Sequence, residues 1–188
     1  MLFIHSLIED IVLGRKTQTR RPAKSSDHGH LDTVWRGTRK LYCVGQDYAV
    51  QPGRGKPCVW YTVFNTTEGP SVRIANDNDG ELVWTNARPL RIELTQIRLE
   101  DVRNISHDDV LAEGFKTHAD FFKVWCGMYD PKALRTEFGK LTVFDVADSL
   151  PKDKAMQYLD DWKRLALVKR DDSLYQAWVL DFKVKEID

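Results

Sequence analysis

Gly14-Arg15-Lys16-Thr17-Gln18-Thr19-Arg20-Arg21-Pro22 sets four cations and two hydroxyls within seven positions and stops at a proline. A short apolar helix precedes it. Ser6-Leu7-Ile8-Glu9 reads as a capping box, and Ile8, Ile11 and Val12 share one helical face. Gly14 stands where a helix ends on a left-handed residue. Cations just past a helix C-terminus complement its dipole, which accounts for one or two of the four. The paired threonines and the continuing Arg20-Arg21 are left over. The stretch therefore reads as an active-site or anion-contacting loop.

A chain of 188 residues can bury one proper core, so one domain spanning 1–188 is expected. Charged residues make up 30% and apolar residues 42%, a globular balance rather than a disordered one. The formal net charge is zero, yet residues 14–59 hold ten Lys/Arg against Asp27, Asp32 and Asp47, a local excess of +7. A basic region on a neutral protein points to an anionic ligand more than to a coat for nucleic acid. A solvated face balanced by acidic neighbours in space gives the same count. Cys43, Cys58 and Cys126 form no CxxC pair, and an odd number suits reduced thiols in the cytoplasm. Glu9-Asp10 interrupt the N-terminal apolar run, and no run approaches the roughly 20 apolar residues of a membrane span. A soluble protein with no membrane partner is expected. No metal or organic cofactor is implied. His28-Gly29-His30 has no third ligand beside it, and Asn76–Gly80 lacks the bidentate acid of a calcium loop.

Along the chain, Leu2-Phe3-Ile4 predicts a first strand. Residues 23–46 are polar and poorly periodic and read as one long loop, with a short strand at Lys40–Val44. Tyr48-Ala49-Val50 is a strand leading into Gln51-Pro52-Gly53-Arg54-Gly55-Lys56. There the glycines allow close backbone approach and the two cations suit a phosphate; an ordinary wide hairpin loop is the alternative. Val59–Thr66, Ser71–Ala75 and Leu82–Thr85 predict a meander. Pro89–Thr95 alternates as a half-buried strand, and its phase slips at Gln96-Ile97, a bulge or the strand's end. Ser106–Asp109 and Thr117–Asp120 are two further helix starts. The first helix ends at Glu113-Gly114; the second places Phe121, Trp125 and Met128 in the core. Residues 131–150 are ambiguous. Lys152–Lys169 carries Met156, Leu159, Trp162 and Ala166 on one stripe, a helix expected over the barrel, and Tyr175–Val184 is a closing strand. About seven strands with no βαβ rhythm predict an α+β fold, a small mixed or antiparallel barrel with peripheral helices.

Lys16 and Thr19, three residues apart in a tight segment, can converge. A threonine hydroxyl needs a base to become a nucleophile, and a lysine partly buried among cations can have its pKa lowered enough to serve. Serine–lysine dyads work in this way. A carboxylate is still needed to carry a proton to a leaving amine, and Glu113 at a helix end is a candidate. It could equally be a surface acid or a structural partner for Arg15 or Arg20. Spacing alone does not choose.

Ile8–Pro22, Val44–Lys56 and Ile105 with Leu111-Ala112-Glu113-Gly114-Phe115 together resemble the ASCH family, as do Phe121…Trp125…Tyr129 and the strand ending at Phe182. The resemblance implies a PUA-like β-barrel with a cleft beside the Gly-x-Lys-Thr-x-Thr loop, and makes about 60–88 and 132–173 insertions. Members bind RNA or nucleotides, some cleave RNA, and some hydrolyse cytidine acylated on its exocyclic amine. In the last group the working residues match Lys16, Thr19 and Glu113, which implies attack by Thr19, Lys16 as base and Glu113 as proton shuttle. Arg15, Thr17, Arg20, Arg21, Arg54 and Lys56 are the expected phosphate or ligand contacts. The partner implied is a modified nucleoside, a nucleotide or RNA. A non-catalytic nucleotide- or RNA-binding module, with Tyr48 or Trp35 stacking on bases, is the alternative, and ribonuclease action a third reading.

Overall fold

The computed structural model describes residues 1–188 apart from 31, 53, 55, 77–86, 137–141, 168–171 and 186–188. Among the described residues the chain forms α1 (Ile8–Val12), β1 (Gln18–Pro22), β2 (Asp27–His30), β3 (Thr33–Arg36), β4 (Arg39–Cys43) and β5 (Asp47–Ala49). It continues with β6 (Val59–Thr66), β7 (Gly69–Asn76), β8 (Arg88–Pro89), β9 (Arg91–Asp101), α2 (His107–Ala112) and α3 (His118–Tyr129), and closes with α4 (Val143–Asp148), α5 (Lys152–Trp162) and β10 (Gln176–Val184). The strands form three antiparallel sheets in the orders β1-β10-β9-β5, β2-β3-β4 and β7-β6-β8. The α+β class holds. The expected closed barrel is not found among the described residues, because strands expected to share one sheet are divided among three.

The pair β9–β10 is the spine. Phe182 pairs with Leu94 and Asp181 with Gln96, so Thr95 is an extra residue in β9. This is the phase slip seen in the sequence, and it is a bulge rather than a strand end. It turns Ile92, Leu94 and Ile97 to the same side, and all three are buried. Strand β10 is buried from Ala177 to Leu180 and again at Phe182. Trp178, Leu180 and Phe182 belong to a first core with Ile8, Ile11, Val34 and Val50. Ala177, with Tyr175 just before the strand, belongs to a second, built largely from Phe121, Phe122, Trp125 and Phe144.

Several local expectations are corrected. Leu2–Ile4 makes one parallel bridge, Leu2 to Gln51, and no strand. Ser6 lies in a 3-10 turn, and Leu7 at the start of α1 makes no side-chain cap, so the capping box is absent. The long loop at 23–46 is instead the β2-β3-β4 meander, in which the short strand expected at Lys40–Val44 is β4. Among the described residues only Val34 of β3 is fully buried there, so one apolar residue anchors a polar sheet whose weak alternation hid it. His28 and His30 stand on a strand rather than in a turn. The strand expected at 82–85 lies outside the described residues. Helix α5 packs on the second core through Leu159 and Trp162 rather than over a barrel, while Met156 is 61% exposed.

Candidate active site

The basic loop is held from three sides. Gly14, at a φ of 71°, ends the α1 segment. Lys16 N donates to Asp10 O at 2.9 Å, Thr17 N to Ala112 O at 2.9 Å, and Phe182 N to Thr17 O at 2.8 Å. The ends of α1 and α2 and strand β10 thus converge on it, and the Lys16 side chain is driven inward. Only 2% of Lys16 is exposed.

Glu113 meets Lys16 from the end of α2. Ser106 caps that helix by accepting from Asp109 N at 3.1 Å, and Glu113 is its C-cap. Gly114 must follow, because its φ of 84° is left-handed and a Cβ there would lie 3.3 Å from Leu7 and 3.5 Å from the Lys16 side chain. Lys16 Nζ then donates to Glu113 Oε2 at 2.8 Å, Glu113 O at 2.6 Å and Gln18 O at 2.8 Å. All three ammonium protons are engaged. Burial pushes the Lys16 pKa below its ordinary 10.5, with Glu113 pulling the other way.

Strand alternation sends Gln18 and Arg20 together towards a bank of acids. Arg20 Nη1 donates to Gln18 Oε1 and reaches Glu113 Oε1 at 3.3 Å; Nη2 donates to Glu100 at 3.0 Å and Asp109 at 3.1 Å. Gln18 Nε2 bridges Asp109 and Asp181, and Arg98 ties together Glu100, Asp109 and Asp181. Burial would raise Asp109, but Gln18, Arg20 and Arg98 outweigh it and hold its carboxyl below the usual range. Lys16, Arg20 and Arg98 stand against Glu113, Glu100, Asp109 and Asp181, so this cluster is not a net cationic surface.

A pocket of about 370 Å³ borders the pair, within the usual range of small-molecule sites. Lys16, Thr19, Arg20, Arg21 and Glu113 supply its polar lining, and Phe115, Phe121, Trp125, Met128 and Tyr129 much of its apolar lining. Thr19 is 4% exposed, and no hydrogen bond engages its hydroxyl among the described residues. Arg20 Nε and Trp125 Nε1 are buried donors without a partner among the described residues, and both residues line this pocket. Unpartnered buried donors are rare, and two in one lining mark a site whose hydrogen bonding is incomplete.

The structure therefore brings together Lys16, Thr19, Glu113, Arg20 and Arg21. Arg21 donates to Leu2 O and lies over the Phe3 ring, 5.4 Å from its centroid. Arg15 is outside the lining, paired with Asp10 at 2.6 Å, and Thr17 is exposed. Arg54 and Lys56 are exposed as well; their loop contributes Pro52 to the lining but neither cation. Tyr48 and Trp35 are elsewhere, Tyr48 accepting from Cys43 N at 2.9 Å and Trp35 lying beneath Lys40. Met128, expected in the core, is 50% exposed at the pocket. Sequence reading missed Gln18, Arg98, Glu100, Asp109 and Asp181, which spacing cannot assemble from four separate elements. It also assigned Phe121 and Trp125 to the core alone, although helical periodicity gives a core face and a pocket wall the same signature. Compared with known proteins, the chain matches no family model, no curated protein and no solved structure.

Proposed function

We propose that this chain is an ASCH-type amidohydrolase that removes an acyl group from the exocyclic amine of a cytidine-class base. One observation carries the reading: Lys16, Thr19 and Glu113, the residues that match the family's working positions, line one apolar-walled pocket. Phe121 and Trp125 are stacked at 6.1 Å, and Tyr129 is tilted by 59° against Trp125 at 4.6 Å, an aromatic wall suited to a base.

The chemistry starts from the Lys16–Glu113 pair. Moving one proton from Nζ to Glu113 Oε2, over 2.8 Å, leaves a neutral amine and a carboxylic acid. Burial of the pair favours that neutral form. The amine takes the Thr19 hydroxyl proton as Oγ1 bonds to the amide carbonyl carbon. Glu113 gives its proton to the exocyclic nitrogen as the C–N bond breaks, leaving cytidine and an acyl-threonine. A water, losing its proton to the carboxylate of Glu113, then attacks the ester, and the Lys16 ammonium returns its proton to Thr19 Oγ1 as the acid leaves. Base and acid are thus one ion pair in its neutral state.

The nucleotide- or RNA-binding reading draws on Arg15, Arg20, Arg21, Arg54 and Lys56, of which Arg20 and Arg21 line the pocket while Arg15, Arg54 and Lys56 are exposed and outside it. The largely apolar lining, with Phe115, Phe121 and Trp125 in its wall, favours a planar base over a phosphate chain. The test is release of cytidine from its exocyclic-amine acetyl derivative by wild type and by Thr19→Val, each checked for folding by circular dichroism. Turnover by wild type that is lost in the variant supports the proposal. No turnover by folded wild type, with RNA binding that weakens steeply in salt, replaces it by the binding module.

A further inference from the structure

A second pocket, of about 410 Å³, shares no lining residue with the first. It lies where the start of α3 meets α4 and α5, so the 132–173 segment builds much of it. Phe122, Phe144 and Trp162 give it aromatic walls. Trp162 meets Phe144 edge-on at 5.5 Å and Phe122 at 6.5 Å, and its indole N–H is spent on Ala133 O at 3.0 Å. The ring planes are therefore fixed and their faces present no unspent donor.

Lys116, Lys152 and Lys163 also line it, against the single carboxylate of Asp160. None of the three lysines forms an ion pair among the described residues. Lys163 is half-buried with its Nζ over the Phe122 ring, 5.1 Å from the centroid, and burial lowers its pKa below the ordinary 10.5 although Asp160 opposes this. A partly desolvated ammonium over a ring face, with no ion pair of its own, gains from an anion beside it. Met156, 61% exposed, adds an adaptable apolar side chain to the same lining.

We infer that this second pocket binds a small aromatic anion, a planar ring carrying a carboxylate or phosphate group. The ring enters between Phe122, Phe144 and Trp162, and the acidic group is held by Lys163 with Lys116 or Lys152. The inference stands apart from the proposed hydrolase activity, since the two pockets have no residue in common. Helix α3 nevertheless serves both, with Phe121 and Trp125 in one lining and Phe122 in the other.

The three methionines give the test its resolution, because Met128 lines the first pocket, Met156 the second, and Met1 neither. Protein labelled with methyl-13C methionine is titrated with 1-naphthoate and 1-naphthyl phosphate, with neutral 1-naphthyl methyl ether as the control. The expected result is a saturable shift of the Met156 methyl with the anions, Met128 unmoved, at least tenfold weaker binding of the ether, and a similar loss in Lys163→Leu. A preference for one anion over the other identifies the acidic group. Equal binding of the neutral ether would reduce the site to an apolar crevice and overturn the inference. So would an unmoved Met156 methyl, a shift at Met128 alone, or unchanged affinity in folded Lys163→Leu.

Discussion

Lys16 is the residue on which the site depends, because its charge is buried and its protons are all engaged. Removing one partner of a buried pair leaves the other unpaired, at a cost of about 3–5 kcal/mol. Lys16→Met is expected to destabilise by that order in urea denaturation, and Lys16→Met with Glu113→Leu to recover part of it. A purely additive double variant would show that the two groups are not coupled. The lowered Lys16 pKa also has a kinetic consequence. The pair works with one shared proton, so activity should fall as pH climbs through a Lys16 pKa below 10.5 and that proton is lost, and this limb should vanish from the residual rate of Lys16→Met. At this scale the sequence was informative. Lys16 and Thr19 were legible as a candidate dyad, Glu113 joined them through the family resemblance, and the partners Gln18 and Asp109 became visible only when strand alternation and α2 placed them together.

Helix caps are the most legible feature at the scale of elements, since each is a local side-chain-to-backbone bond. Ser106 accepts from Asp109 N and Thr117 from Asp120 N, both at 3.1 Å, as the two motifs predicted. Ser106→Ala and Thr117→Ala should each cost about 1 kcal/mol, read from chemical denaturation. Ser106→Ala should also lower turnover, because α2 carries Glu113 to Lys16; Thr117→Ala should leave turnover nearly unchanged. Equal effects on turnover would break the link between the α2 cap and the site. The cap motif at Ser6 misled because Leu7, not Ser6, precedes the helix, and a one-residue shift takes the side chain out of reach. Strands β2 and β3 of the meander at 27–43 were missed for a different reason. A sheet with one buried residue in its middle strand has no hydrophobic alternation to read.

Across the whole molecule, β10 binds two cores and the carboxylate cluster lies beside it. The carboxyls of Asp27, Asp101 and Asp109 are each pushed up by burial but held below their ordinary 3.8 by stronger arginine and hydrogen-bond contacts. Their folded pKa values lie below the unfolded ones, so their stabilisation is complete above about 3.8 and is lost as pH falls through the folded values. Stability measured by urea midpoint should therefore fall steeply below pH 4, and Asp109→Asn should flatten that fall. Lys16 acts in the alkaline range. Its folded pKa is the lower one, so stability should rise with pH from that value towards 10.5. The antiparallel α+β character was legible from turn chemistry and alternation. The separation into three sheets was not, since pairing is decided by contacts far apart in sequence. The two-core layout was hidden too, because β10 is buried on both faces and its pattern cannot say what covers each.

The most direct measurement is the mass of the protein after rapid acid quench with the acetylated cytidine derivative, followed by peptide mapping. A hydrolase built on Thr19 predicts the mass of one acetyl group on the peptide containing Thr19, formed in step with cytidine release and absent in Thr19→Val. Cytidine released in the first turnovers from unmodified protein, or an acetyl group mapped to another residue, would contradict it.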